Sequence, residues 1–154
     1  MPIKIKENRD NKMNRKPLLL QAKNSCKYQD DLSCDSIKRY VRAYDYLQKI
    51  DLTELNTHHI LVLGLIISPK NSGFRVTPVT FTNGNSGAPY REITRLLDSL
   101  CDAKLNMYLS ATDFFIHFEK IHPFNDGNGR IGELIYQRMT GSFACPHSHF
   151  SSHN

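Results

Sequence analysis

The chain has 154 residues, of which 40% are hydrophobic and 23% charged. That is room for one domain of ordinary size, with a composition close to the soluble globular average. It excludes a wholly disordered chain, a collagen-like fibre and a disulfide mini-scaffold. The longest apolar run, Ile60 to Ile67, has eight residues, against the roughly 20 that a membrane helix needs. The N-terminal stretch has no apolar signal-peptide core, so the expectation is a cytoplasmic protein with no membrane partner. The formal net charge is +5, but residues 1–16 hold six Lys and Arg against Glu7 and Asp10, leaving fourteen against thirteen in the rest. The basic character therefore belongs to a tail, which argues for a solvated tail rather than a nucleic-acid-binding domain. Cys26, Cys34, Cys101 and Cys145 form no CxxC or Cys/His metal spacing. They read as reduced thiols, and none is assigned as a nucleophile.

Residues 1–34 are polar and broken apart from Leu18–Leu20, and are expected to be mostly flexible. From Asp35, residues Ile37, Tyr40, Val41, Tyr44 and Leu47 follow a helical period, with Asp35 or Ser36 as the cap. A second helix is expected from Thr53 through Ile67, stopped by Pro69. Val76 to Thr82 is β-branched and aromatic and precedes the turn formers Asn83-Gly84-Asn85-Ser86-Gly87, which predicts a β-hairpin or extended flap. Ile93, Leu96, Leu97 and Leu100 mark a third helix. Ser110 with Asp113 forms a capping-box pattern ahead of a fourth, whose face is Ala111, Phe114, Phe115, Phe118 and Ile121. Ile131, Leu134, Ile135 and Met139 mark a fifth, ending by Gly141, and residues 141–154 have no period.

The stretch His122-Pro123-Phe124-Asn125-Asp126-Gly127-Asn128-Gly129-Arg130 links the last two helices. Glycine and asparagine tolerate the left-handed backbone that turns successive N–H groups inward. At a helix N-terminus such a nest is an anion site. Arg130 adds a planar fork of donors suited to phosphate, and Asp126 a carboxylate of the kind that holds Mg²⁺ bridging phosphates. His122 is placed to take a proton from an attacking hydroxyl. Phe124, apolar in a polar loop, is expected to anchor the loop in the core. These are parts for cleaving or transferring a nucleotide phosphate.

HPFNDGNGR resembles the signature of the Fic family, HxFx(D/E)GNGRxxR. Gly73-Phe74-Arg75 is similar to that family's Gly-x-aromatic-Arg segment leading into its flap, and Phe118-Glu119-Lys120-Ile121 to its lead into the motif. The resemblance covers about residues 35–140 and implies a mainly α, Fic-like helical domain with a β-hairpin flap, between the flexible segment 1–34 and an unstructured tail, 141–154. It implies a protein adenylyltransferase that moves AMP from ATP to a Ser, Thr or Tyr hydroxyl with Mg²⁺. By the same resemblance His122 is the base and Asp126 the Mg²⁺ ligand. Gly127, Asn128 and Gly129 cradle the α- and β-phosphates, Arg130 holds the β- or γ-phosphate, and the flap, 76–90, clamps the target protein.

Two features depart from the family pattern. Glu133 stands where the motif has its last arginine, reversing a charge beside the distal phosphates. At about 4 Å that costs roughly 1 kcal/mol in water and about 4 at an effective dielectric of 20. The alternative reading is therefore a degenerate Fic domain that binds nucleotide or a partner protein without turnover. The family's inhibitory motif, (S/T)xxxE(G/N), has no clean copy. Ser25 to Asp30 has the spacing with Gln29 in place of Glu, which predicts no self-inhibition within the chain and leaves room for a separate inhibitor protein. Second, only 14 residues follow Thr140, where the family continues with further helices. A core shortened there leaves apolar surface on the motif helix, to be covered by a homodimer partner or another chain.

Overall fold

A computed structural model describes residues 15–27, 33–105 and 109–143. Among them are six α-helices: α1 (15–27), α2 (Cys34–Gln48), α3 (Thr57–Ile67), α4 (Ile93–Leu105), α5 (Ala111–Ile121) and α6 (Asn128–Thr140). Short 3-10 turns at Leu52–Glu54 and Tyr90–Glu92 precede α3 and α4. α3, apolar on all sides, runs through the core. α6 packs against α2, α3 and α5, while α2 also lies on α3 and α4 on α5. Among the described residues no helix is long and apolar enough to cross a membrane.

Local chemistry sets the helix ends. Ser33, rather than Asp35 or Ser36, caps α2 by accepting the Ser36 N–H. The helix expected from Thr53 begins at Thr57 instead. Asn56 accepts the His59 N–H at 3.1 Å, and His59 Nδ1 accepts the Asn56 N–H at 3.2 Å. Residues 52–54 form a separate turn capped by Asp51. Ser110 caps α5 through the Asp113 N–H, and Gly141, left-handed at φ 76°, ends α6.

The expectation of a mostly flexible segment over 1–34 fails for residues 15–27. They are helical, with Leu18, Ala22 and Cys26 fully buried four residues apart on one face. The stripe is short and two of its members are small, so it carries little periodic hydrophobic signal. Residues 1–14, most of the 141–154 tail with Cys145, and the Gln29-Asp30 pair lie outside the described residues. Among the described residues the large hydrophobics left exposed are Leu19, Leu20, Leu65, Val76 and Leu105, none of them on α6.

The flap, 76–90, has two antiparallel arms but a single bridge, Thr80 with Ser86, and no strand among the described residues. Phe81 N–H donates to Asn85 O at 2.7 Å and Gly87 N–H to Val79 O at 3.0 Å. Gly84, at φ 87°, makes the turn.

Candidate active site

α5 ends at His122, which is left-handed at φ 52° and ψ 63°. Among the described residues it is the one non-glycine with positive φ, a conformation that costs roughly 1–2 kcal/mol. Arg75 holds it there. Its Nε donates to His122 O at 2.6 Å and its Nη2 to Ile121 O at 3.1 Å. The same guanidinium reaches both arms of the flap, through Nη1 to Thr77 O at 2.8 Å and Nη2 to Ala88 O. Its backbone N–H donates to Pro123 O at 2.9 Å. One buried side chain thus joins the flap to the end of α5, and no carboxylate pairs with it among the described residues.

The His122 side chain is buried, with the Phe81 ring edge-on at 4.9 Å. Neither ring nitrogen has a hydrogen-bond partner of normal geometry. Burial first, and the Arg75 charge second, push its pKa down to about 4, with the Glu119 backbone pulling weakly the other way. The imidazole is therefore neutral at neutral pH.

The rest of the loop is stapled from below. Phe124 is fully buried, as expected, against the Phe74 ring at 5.3 Å. It fits because residue 64 is glycine: a Cβ there would lie 2.1 Å from the Phe124 ring. Asn128 closes the turn, its Nδ2 donating to Phe124 O at 2.8 Å and its Oδ1 accepting the Phe124 N–H at 2.9 Å. Its side chain is thereby committed to the loop, so Asn128 has only its main chain to offer a phosphate. Asn71 holds Asp126 by both backbone groups, at 3.1 and 2.9 Å, and ties the loop to Gly64 O.

Gly127, at φ 86°, starts α6 and leaves no room for a side chain, since a Cβ would lie 2.5 Å from Ile67. No side chain caps this helix, so its first N–H groups are available to an anion. Gly129, in the first turn, faces α5: a Cβ there would lie 4.0 Å from Glu119 Oε1. The Asp126 carboxylate accepts from Ser68 Oγ at 2.5 Å and pairs with Arg130 Nη2 at 3.2 Å, both through Oδ2. Arg130 is buried and its Nε has no partner, a donor left for a ligand. Among the described residues there is no cluster of three or more His, Cys, Asp or Glu for a metal. A single carboxylate with one oxygen still open suits Mg²⁺, which commonly keeps waters and substrate phosphates as its other ligands.

Glu133, one turn further along α6, points at α1 and α2. It accepts from Gln21 Nε2 at 2.7 Å, Ser25 Oγ at 3.2 Å and Tyr40 OH at 3.3 Å. Burial raises its pKa, against the pull of those three donors and of Arg130. Ser25, the first residue of the near-copy of the inhibitory motif, thus meets Glu133 directly. Cys101 is an inert thiol, pushed up to about 11 by burial.

Asp126 and Arg130 are thus paired at the start of α6, which Gly127 opens, and His122 closes α5 a few residues before them along the same loop. Sequence reasoning missed Ser68, Asn71, Gln21, Tyr40 and Phe81, and marked Arg75 only as part of a family segment. Polar residues just after Pro69 were the available signal for Asn71, but nothing local names its partner.

The Fic/DOC family profile matches residues 49–139, more than half of the chain. The chain belongs to the Fic/DOC family. It is similar to the crystal structure of a Fic family protein from Desulfovibrio desulfuricans G20, at 17% identity and TM-score 0.71, over 88% of this chain and 51% of that one. It is also similar to a Fic domain containing signaling protein from Bacteroides thetaiotaomicron VPI-5482, at 21% identity and TM-score 0.57, over 77% of this chain and 52% of the other. This Fic chain therefore spans about half the length of those two relatives, and at these identities the likeness shows the shared fold. No curated protein matches it.

Proposed function

We propose that this Fic chain is a protein adenylyltransferase that transfers AMP from ATP to a Ser, Thr or Tyr hydroxyl of a target protein. The observation that carries the reading is the pairing of a buried, unpartnered neutral imidazole, His122, with an uncapped helix N-terminus and the unpartnered Nε of Arg130. The target hydroxyl loses its proton to a His122 ring nitrogen as its oxygen bonds to the α-phosphorus. The bond from that phosphorus to the β-phosphate bridging oxygen breaks, and pyrophosphate leaves. The first N–H groups of α6 and Arg130 hold the phosphates and neutralise their charge, which is where most of the catalysis in such transfers lies. Asp126, oriented by Asn71 and Ser68, would hold Mg²⁺, which supplies charge neutralisation to the phosphates. The flap presents the target along its edge, by main-chain pairing.

A second reading, a Fic domain that binds nucleotide or a partner without turnover, is favoured by one observation. Glu133 is fixed by α1 and α2 on the helix that starts at the cradle. Label transfer separates the two. The chain is incubated with Mg²⁺, a lysate and ATP labelled at the α- or the γ-phosphate. The expected result is protein labelled from α-labelled ATP by the wild type and not by His122→Asn, a replacement whose backbone accepts the left-handed form. Label from the γ position alone makes it a kinase. Label in Glu133→Arg but not in the wild type means a site disabled by one charge, and label in neither protein gives the site to the second reading.

A further inference from the structure

Beside the flap lies a cleft of about 690 Å³ between the return arm, α4 and α5. Its walls are Phe81, Leu96, Leu100, Ala103, Leu109 and Ile121. None of its lining residues among those described is acidic, and two at the rim, His117 and Lys120, are basic. The volume is in the range of sites that bury a small organic group, and far above a packing defect.

Three features tie the cleft to the site. Phe81 is shared: it lines the cleft and its ring lies 4.9 Å from that of His122. Gly87 is shared as well, since a Cβ there would lie 3.3 Å from that of His122. The third is the bridge. Thr80 and Ser86 are its non-hydrogen-bonded pair, because the bonds run between Phe81 and Asn85 and between Gly87 and Val79. In such a pair each residue's own N–H and C=O point away from the facing arm. Those of Ser86 therefore point outward on the arm that walls the cleft.

We propose that the cleft is a specificity pocket for a large apolar side chain of the target protein, carried by an extended stretch that pairs with Ser86. Side chains of an extended chain alternate between faces, so a residue near the modified hydroxyl enters the cleft while the hydroxyl reaches His122. The identity of the guest as a protein substrate rests on the transferase reading, whereas the binding itself does not.

The test is binding, measured on the transfer-inactive His122→Asn chain by fluorescence polarisation. The probes are labelled eleven-residue peptides with a central Thr and a flanking Leu, Phe, Ser or Lys. Burying one large apolar side chain predicts a preference for Leu or Phe over Ser of about tenfold to a hundredfold. Adding Ser99→Trp, at an exposed α4 position lining the cleft, or Ala103→Trp, fills the cleft and abolishes that preference at an unchanged melting temperature. Equal binding of all four peptides, no binding of any, or a preference that survives both substitutions overturns the proposal. So does a dimer in sedimentation that Ser99→Trp dissociates, which gives the cleft to a second copy. A clear apolar preference in a chain that transfers no label from ATP keeps the pocket and removes the transferase reading instead.

Discussion

The Fic loop, 122–130, and the flap, 76–90, face each other across His122, and both are irregular chain without a ladder of strand bonds. They are held in opposite ways. The loop is fixed by several short-range ties: Asn128 to Phe124, Asn71 to Asp126, Phe124 into the space left by Gly64. Losing one leaves the others. Beyond its single bridge, the flap depends on the Arg75 side chain and two backbone bonds at its base, from Arg75 N–H to Pro123 O at 2.9 Å and from Ala88 N–H to Lys120 O at 3.2 Å. The loop is over-determined, while the flap is tethered at its base.

The sharpest way to break that contrast is Arg75→Met. It leaves four backbone carbonyls without their donor, and each such loss costs about 1–3 kcal/mol. The expected loss is about 4 kcal/mol or more, read by urea unfolding, out of the 5–15 kcal/mol typical of a domain. Arg75→Lys, which keeps the charge but not the fork, should recover part of it. An Arg75→Met chain as stable as wild type would contradict the tether.

His122 supplies the next effect, through pH. Its folded pKa is lowered to about 4 from an ordinary 6.5, so between those values the unfolded chain binds the extra proton. Stability is then full above pH 6.5 and falls as the pH drops toward 4, by about 3 kcal/mol in all. His122→Asn should remove that part of the slope in unfolding curves recorded across the window.

On the loop side, Asn71→Ala removes the two bonds to Asp126 and the one to Gly64 O. With Phe124 and Asn128 still in place, about 2 kcal/mol is expected, and nucleotide binding should become less sensitive to Mg²⁺ as Asp126 loses its fixed position. The smallest effect is at Glu133. Burial raises its pKa, so the ionised carboxylate costs stability as pH rises through its unfolded range. Glu133→Gln should be slightly more stable than wild type at neutral pH and no different below pH 4, a pattern that thermal melts at both pH values resolve.

The same contrast explains what was legible in the sequence. The loop could be read because its determinants are contiguous: a glycine, Gly127, for the left-handed turn into α6, an arginine and a carboxylate at fixed spacing, a phenylalanine out of character with its polar neighbours. The left-handed backbone expected at Asn128 and Gly129 as well is not found, since both lie in the first turn of α6. Helices α2 to α6 could be read from periodicity, though the start of α3 was misplaced because Asp51 caps a separate turn before Asn56 caps the helix. Residues that act across the fold carried no local mark. Arg75 serves carbonyls as far as 47 positions away, and Asn71 reaches 55 positions to Asp126. α1 was read as flexible because its buried stripe is made of one leucine, one alanine and one cysteine. Its true partner, Glu133, lies 112 positions from Gln21.

The central claim is that one short loop holds both a neutral base and a phosphate cradle. It is tested most directly by NMR titration of the His122 ring, with and without Mg²⁺ and a non-hydrolysable ATP analogue. The account predicts a pKa of about 4 in the free chain and a clear rise when the nucleotide's negative charge arrives beside the ring. A free value near 6.5, or no change on adding nucleotide, would contradict it.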